Sequence, residues 1–282
     1  MTDATSAARL PDMTVVIPVR NAERLLPGCL ASVAREGPSR IIVVDGNSTD
    51  GTLEIARRYP TTILSDEGRG LPVARMLGAQ EAKTTYVALV DADVVLPEGS
   101  LGRLLEEFRA GGYAALQAGL YSVGGPGYWG RALAEHHRSG LSKNWFGLVA
   151  TIFERETLLA VGFDERFVSG EDIELRWRLA QEGRRIGVSA STVVTHRFGG
   201  DTFGFASEQF AMDGRGLAEM VRKHGWRGAR LVALPAAAAA RGVVLSLVRL
   251  KPQWVPYYAC YALGNYAAMI SAFVVRLRKA EP

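Results

Sequence analysis

The chain has 282 residues, of which 48% are apolar, and 33 basic residues against 29 acidic ones give a net charge of +4. This length and composition predict one large globular domain, or one domain with an appendage, and argue against a disordered chain. The small basic excess gives no indication of nucleic-acid binding. Cys29 and Cys260 form no C-x-x-C pattern, so neither a disulfide framework nor a zinc site is expected.

The first half of the chain alternates between short apolar runs and segments with helical spacing. Residues 1–12 come before this pattern; they are small and polar, lack the apolar core of a secretory signal peptide, and are expected to be a flexible tail. Strands that alternate with helices predict an α/β fold with a mostly parallel sheet flanked by helices, and ligands bind at the carboxyl ends of such strands. The predicted strands are 13–19, 40–45, 61–64 and 86–91.

The stretch "YVALVDADVV", residues 86–95, is an apolar strand pattern that ends in two carboxylates, Asp91 and Asp93. In an extended segment residues i and i+2 point to the same side, so both can approach one cation. Their hard oxygen ligands suit Mg²⁺ or Mn²⁺. Two alternatives remain open. The segment is also compatible with a plain strand and turn, and "DADVV" resembles the signature of haloacid dehalogenase-like phosphotransferases, which would make Asp91 a nucleophile.

Five motifs in a fixed order resemble the family-2 glycosyltransferases of the GT-A fold, and the resemblance covers roughly residues 13–200. A conjunction of five ordered motifs is far more specific than any one of them alone. The motifs are "VVIPVRNAERLLPGCLASV" at 15–33, "IIVVDGNSTDGT" at 41–52, "GRGLPVARMLGAQEA" at 68–82, "VDADVVLP" at 90–97 and "SGEDIELRWRL" at 169–179.

The resemblance implies a set of donor-binding residues. Two of them have a structural alternative: Asp45 can build a turn with Asn47, and Arg75 can lie on a solvated helix face. Met76 stands where many relatives carry Asn, so a contact from that amide is not expected here. The implied roles are the nucleotide pocket for Pro18, Arg20, Asn21 and Asp45, the diphosphate for Arg69 or Arg75, and the ribose or a metal-bound water for Asp91.

The resemblance also implies a metal site and a catalytic base. Asp93 would bind Mn²⁺ or Mg²⁺ directly, with Asp91 and His196 as further ligands, although His196 is equally compatible with a structural role. Asp172 of the E-D pair would take the proton from the acceptor hydroxyl, in an inverting reaction. Ser169 and Asp172 also match a capping box, and one residue can serve both purposes.

The C-terminal third is strongly apolar. Residues 254–275 contain no charge and are long enough to span a membrane, whereas 231–248 carries Arg241 in its middle. If both segments cross as a hairpin, the flanking basic residues keep the catalytic domain cytoplasmic. The alternative is a packed helical subdomain or a dimer interface. The predicted domains are 13–225, the GT-A catalytic domain, and 226–282, the hydrophobic helices.

Together these observations predict a metal-dependent glycosyltransferase. It would move a sugar from a UDP- or GDP-sugar to a hydroxyl or phosphate of a lipid-linked, glycan or otherwise membrane-presented acceptor at the cytoplasmic face of the membrane. A homo-oligomer is compatible with the sequence, and no nucleic-acid partner is expected. No Q-x-x-R-W follows the E-D pair in "SGEDIELRWRL", which favours a single transfer over polymerisation. A non-catalytic nucleotide-sugar-binding protein remains an alternative.

Overall fold

The computed structural model of the chain describes residues 10–139 and 145–280. Its centre is a mixed eight-stranded sheet with the strand order β3-β2-β1-β4-β7-β6-β8-β5. The strands are β1 (Leu10–Val19), β2 (Pro38–Asp45), β3 (Thr61–Ser65), β4 (Tyr86–Val90), β5 (Val94–Val95), β6 (Ala115–Val123), β7 (Ala150–Glu154) and β8 (Ile186–Arg197).

Eleven α-helices are assigned in the part of the chain that the structure describes. Two short 3-10 turns, Arg230–Ala233 and Pro252–Trp254, lie on either side of α10. The helices are α1 (Leu26–Arg35), α2 (Thr52–Arg57), α3 (Leu71–Glu81), α4 (Ser100–Gly111), α5 (Tyr128–Ser139), α6 (Arg155–Val161), α7 (Glu171–Gln181), α8 (Phe203–His224), α9 (Trp226–Ala229), α10 (Leu234–Val248) and α11 (Val255–Ala280).

The parallel half of the sheet is the one that the sequence predicts. β1 pairs in parallel with β2 and with β4, and β2 pairs in parallel with β3, so the carboxyl ends of these strands lie at one edge. β1 begins earlier than expected, because Leu10 pairs with Pro38 and the Asp12 carboxylate accepts a hydrogen bond from the Thr85 N–H at 2.9 Å. Residues 10–12 therefore belong to the sheet, and the rest of the predicted tail lies outside the described residues.

The other half of the sheet runs antiparallel. β7 pairs with β4 and β6, and the two-residue strand β5 pairs with β8. The β5–β8 pairing places Val94 opposite His196, although 102 residues separate them in sequence. This long-range register brings the end of β8 to the segment that follows β4.

The described chain divides into two compact units. The first contains residues 10–121, 145–165 and 175–199, and it holds the parallel strands and α1–α4. The second contains residues 122–139, 166–174 and 200–280, and it is mainly helical. Each unit has its own buried apolar cluster; that of the second is built around Leu217, Ala218 and Met269.

In the second unit, α11 packs along α8. The ring of Phe210 lies 5.4 Å from that of Tyr257 and 5.5 Å from that of Tyr261. Further along, a Cβ at Gly214 would overlap the carbonyl oxygen of Asn265, so only glycine allows this approach. The face of α11 that carries these residues is thus covered by protein.

One helical stretch among the described residues, Trp226–Val248, is long and apolar enough to cross a membrane by length and composition alone. The sequence analysis also favours 254–275 as a span, and that expectation stays a prediction. Most of this segment belongs to α11, whose side chains are described only as far as residue 274.

Packing of α3 onto β1 gives the first testable prediction. A Cβ at Gly78 would overlap Cγ1 of Val16 and lie 2.9 Å from its Cγ2. Gly78→Ala should therefore lower the free energy of unfolding by about 1–3 kcal/mol, measured by urea denaturation. The control is Gly102→Ala in α4, where no atom lies within 4 Å of the added methyl group and stability should stay equal or rise slightly. Equal effects of the two substitutions would contradict this packing.

Candidate active site

The D-x-D segment turns sharply at the carboxyl end of β4, whose residues 87–90 are buried. The Asp91 N–H donates a hydrogen bond to the Val149 carbonyl at 3.0 Å, and the Val94 N–H donates to the Asp91 carbonyl at 3.1 Å. These bonds hold the backbone so that Asp91 and Asp93 follow the strand within one turn. The segment is therefore both a strand end with a turn and a pair of fixed carboxylates.

Asp91 forms an ion pair with a buried arginine. Arg75 Nη2 lies 2.9 Å from Asp91 Oδ1, and the Arg75 side chain is only 1% exposed. The interpretation of Arg75 as part of a solvated helix face is wrong. Burial raises the pKa of Asp91 to about 6, against the opposing effect of the Arg75 guanidinium and with a contribution from the neighbouring Asp93 carboxylate. Arg75, which lies on α3, thus holds the Asp91 carboxylate of the D-x-D segment in place.

Asp93 pairs with His196 across the β5–β8 strands. His196 Nε2 lies 3.2 Å from Asp93 Oδ2. Burial disfavours the charged imidazole, but the Asp93 carboxylate outweighs this and raises the pKa of His196 above its usual value. The other carboxylate oxygen of Asp93, Oδ1, is buried and has no hydrogen-bond partner among the residues that the structure describes. A buried anionic oxygen without a partner is costly unless a ligand satisfies it.

These residues fit part of a divalent metal site. Within residues 10–139 and 145–280, no three His, Cys, Asp or Glu side chains converge closely enough to hold a metal by themselves. Mg²⁺ and Mn²⁺ are commonly held by one or two carboxylates, with water and substrate phosphate completing the shell. Asp93 Oδ1 is the atom best placed to contact such an ion, and Asp91 and His196 lie beside it.

The loops after β1 and β2 are joined by side-chain hydrogen bonds. The Asn21 side-chain oxygen links the two loops by accepting from the Thr49 N–H at 2.8 Å, and within the loop after β2 the Asp45 carboxylate accepts from the Ser48 N–H at 3.2 Å. Asp45 is therefore part of the turn, as one interpretation predicted. Pro18 is buried within β1 and Arg20 is exposed at its end. A nucleotide-binding role for these residues stays a prediction.

Asp66 is a buried residue of this edge that our sequence analysis missed. Its carboxylate accepts from the N–H groups of Gly68 at 2.8 Å and Gly70 at 3.0 Å, and its own N–H donates to the Asp45 carbonyl. It thereby shapes the loop that carries Arg69, whose side chain is exposed. A sequence signal existed: each of β2, β3 and β4 ends in, or is followed directly by, an aspartate.

Arg197 was also missed. Its N–H donates to the Asp93 carbonyl at 3.0 Å, and its Nη2 donates to the Leu25 carbonyl at 2.7 Å. A Cβ at Gly28 would lie 2.9 Å from the guanidinium, so a larger residue there would displace the end of the Arg197 side chain. No sequence signal indicates this contact, because it depends on the β5–β8 register.

Asp172, the predicted base, belongs to the second unit. It is half-buried in the first turn of α7, and the Ser169 hydroxyl just before the helix donates to the Met212 carbonyl in α8 at 2.8 Å. This bond brings the start of α7 next to α8 near Asp213, which keeps contact with solvent. Partial desolvation and repulsion from Asp172 raise the pKa of Asp213 to about 7.

The Arg75–Asp91 pair generates a stability prediction. Arg75→Met leaves a largely buried carboxylate without its cation, and it should lower the free energy of unfolding by about 3 kcal/mol. Arg69→Met serves as the control, because that exposed side chain donates a hydrogen bond to the Asp66 carbonyl at the surface, and its loss should change stability by less than about 0.5 kcal/mol. Urea denaturation checks both; equal stability of Arg75→Met and wild type would contradict the ion pair.

Asp213 generates a pH-dependent prediction. Because its pKa is higher in the folded than in the unfolded chain, the folded state binds the extra proton, and its contribution to stability is lost as pH rises from about 4 to 7. Asp213→Asn should therefore raise the melting temperature relative to wild type above pH 7 and not below pH 4. Solvent screening limits the gain to about 1 kcal/mol. Glu208→Gln, also exposed on α8, is the control; a gain that does not vary with pH would contradict the assignment.

Comparison with known proteins agrees with this geometry. The family described as "Glycosyl transferase family 2" matches residues 14–168. The succinoglycan biosynthesis protein ExoA of Rhizobium meliloti (strain 1021) is 29% identical over 255 residues, which cover 82% of this chain and 77% of ExoA. A mannosyltransferase from Pyrobaculum calidifontis, solved with GDP-Man and Mn²⁺, shares the fold with a TM-score of 0.62 at 18% identity, covering 93% of this chain and 89% of its own.

A second solved structure, glucosyl-3-phosphoglycerate synthase from Mycobacterium tuberculosis with Mn²⁺, UDP and phosphoglyceric acid, has a TM-score of 0.57 at 20% identity and covers 79% of this chain and 81% of its own. These structures confirm the predicted GT-A fold. The family match extends over more than half of the chain and includes most of β1, all of β2–β4 and the D-x-D segment. The chain belongs to glycosyl transferase family 2.

Proposed function

We propose that this chain transfers a single sugar from a UDP- or GDP-sugar to a hydroxyl or phosphate of a lipid-linked or otherwise membrane-presented acceptor, with the help of Mn²⁺ or Mg²⁺. The observation that carries the proposal is the unpartnered, buried Oδ1 of Asp93 beside the Arg75–Asp91 ion pair. A carboxylate oxygen kept dry at the carboxyl edge of a parallel sheet is suited to a cation that arrives with the donor diphosphate.

The residues proposed to bind the donor lie at or near the carboxyl ends of the parallel strands. Asp45 would accept a hydrogen bond from the nucleotide base, with Pro18, Arg20 and Asn21 beside it, and the exposed Arg69 would reach the diphosphate. Arg75 would act indirectly, by keeping Asp91 ionised and fixed. Two of the GT-A neighbours were solved with nucleotide ligands, GDP-Man and UDP, which supports a nucleotide-sugar donor for this chain.

The metal, when bound through Asp93 with Asp91 and His196, would offset the charge that develops on the leaving nucleoside diphosphate. Mn²⁺ in both neighbours supports a divalent ion here. The chain's own part is to present Asp93 at a fixed position, and Arg197 contributes by holding the Asp93 backbone carbonyl.

Asp172 would take the proton from the attacking acceptor group, which leads to inversion at the anomeric carbon. Asp213 of α8 lies close enough to interact electrostatically with Asp172, so two carboxyl groups meet where the acceptor would bind. The acceptor would be presented at the cytoplasmic face of the membrane. In this proposal 13–225 is the catalytic domain and 226–282 its membrane-associated part, with a homo-oligomer as a further possibility.

The phosphotransferase alternative finds no support, since Asp91 is bound to Arg75 and the chain is a family-2 glycosyltransferase. A non-catalytic nucleotide-sugar-binding protein would retain binding without turnover. The two remaining possibilities therefore differ in one measurable quantity, the release of nucleoside diphosphate.

The test is nucleoside diphosphate release from a panel of UDP-, GDP- and dTDP-sugars, with Mn²⁺ or Mg²⁺ and with membrane lipid extract. Asp93→Asn should raise the half-saturating metal concentration at least tenfold, because the direct metal contact is weakened. Asp172→Asn should lower kcat at least 100-fold with little change in metal or donor affinity, as expected for loss of a general base.

Glu106→Gln, an exposed acid on α4, is the control for both substitutions and should behave as wild type. Donor binding without release under any of these conditions would favour the non-catalytic alternative. Release that needs no metal and survives Asp93→Asn would show that the D-x-D segment has only a structural role.

A further inference from the structure

The C-terminal helices expose apolar side chains that have no partner in the described chain. On α10, the residues Val244, Leu247 and Val248 lie on one helical face and are each more than half exposed. Leu250, in the turn after α10, is 87% exposed, and Trp226, before it, is 82% exposed. Large apolar side chains rarely gather at such exposure on a protein surface that faces only water.

The outer face of α11 has the same character. Leu263, Ile270 and Val274 are exposed at helical spacing, and the other exposed positions of residues 256–274 are Pro, Ala and Ser. By contrast, the exposed face of α4 carries Arg103, Glu106 and Arg109, as expected for a helix against water. The absence of charge on the outer face of α11 is therefore a local property of the C-terminal helices.

The charged residues of this region are all of one sign. Residues 226–280 contain eight basic residues and no acidic one. These eight positive charges exceed the net charge of +4 of the whole protein, because acidic residues outnumber basic ones in the rest of the chain. The basic residues are Arg227, Arg230, Arg241, Arg249, Lys251, Arg276, Arg278 and Lys279.

Packing within the second unit argues against an independent transmembrane hairpin. The inner face of α11 lies against α8 from Tyr257 as far as Phe273, over which the Arg222 guanidinium lies 5.2 Å from the ring centroid. Arg222 also donates a hydrogen bond to the Ala272 carbonyl. If α11 crossed the bilayer, α8 would enter the hydrocarbon with it, together with the charges of Glu219 and Arg222.

We propose that the exposed apolar residues of α10, α11 and their connecting turn form a lipid-facing surface that inserts into one leaflet of an anionic bilayer without crossing it. The apolar side chains supply the insertion, and the basic residues supply attraction to anionic headgroups. An exposed tryptophan beside an arginine, as at Trp226 and Arg227, is typical of the membrane interface. This inference deepens the membrane part of the proposed function by naming the partner and the mode of attachment.

The experiment is flotation of the purified full chain with preformed vesicles of phosphatidylcholine, alone or with about one third phosphatidylglycerol. The wild type should bind the anionic vesicles at least tenfold more tightly than the neutral ones, because each basic residue near the surface adds about fivefold. Raising the salt to 1 M should reduce the preference, since screening shortens the reach of the charges.

A double substitution, Leu247→Glu with Val248→Glu, should weaken binding to anionic vesicles at least tenfold, because two inserted aliphatic side chains are lost. Both positions are exposed, so the melting temperature should stay near that of wild type. The matched control is Val193→Glu, at a partly exposed position on β8 in the first unit, which should bind as wild type.

The mode of attachment has its own measurement. In a Cys260→Ser background, Lys251→Cys in the turn between α10 and α11 should not react with a membrane-impermeant thiol reagent enclosed inside sealed vesicles, and it should react once detergent opens them, because the turn does not reach the far side of the bilayer. The other native cysteine, Cys29, is buried. Reaction of Lys251→Cys with the enclosed reagent in intact vesicles would overturn the proposal in favour of a crossing hairpin.

Two further results would overturn it. The first is equal binding to neutral and anionic vesicles, or binding to neither. The second is a wild-type dimer that the double substitution converts to monomers without changing vesicle binding, since the surface is then a contact between two copies of the chain. Vesicle binding is measured without donor or turnover, so its failure is distinguishable from a failure of the proposed glycosyl transfer.

Discussion

A buried arginine allows the central strand of the sheet to end in two carboxylates. Without Arg75, the charge of Asp91 would meet the low dielectric at the end of β4 uncompensated, and protonation would be the cheaper state. Arg75 reaches Asp91 because α3 lies close against β1, where Gly78 leaves room for Val16. Gly78 therefore allows the position of α3, and the position of α3 allows the ion pair. The geometry of the D-x-D segment depends on both.

The backbone of the same segment is held from two sides. Val149 accepts the Asp91 N–H, and the Gln117 side chain fixes the approach to Val149 by accepting from the Gly147 N–H at 2.7 Å. On the other side, the Arg197 N–H donates to the Asp93 carbonyl. Because its backbone is fixed on two sides, Asp93 can keep one buried carboxylate oxygen without a partner among the described residues, and buried polar atoms of this kind are candidates for a ligand contact.

The parallel half of the fold could be predicted because β-branched runs and helical spacing are local signals, and β1–β4 carry them clearly. The antiparallel half could not, because the pairing of Val94 with His196 joins positions that are 102 residues apart in sequence. The same distinction divides the site. Asp91 and Asp93 are visible as a motif, and Asp66 repeats a pattern already present at Asp45, whereas Arg197 and Asp213 gain their neighbours only through folding.

The C-terminal helices show why hydropathy is an ambiguous signal. One face of a helix can be apolar because it packs against protein, and another face can be apolar because it contacts lipid. The mean hydropathy of the helix sums both contributions and does not distinguish them. In α11 the covered side holds Tyr257, Asn265 and Met269, polar or large groups that suit packing against α8. The outer side holds aliphatic and small residues without charge. The burial of each side chain distinguishes the face that packs against protein from the face that does not, which the sequence alone cannot do. The membrane question for these helices therefore concerns the uncovered face and not the length of the apolar segment.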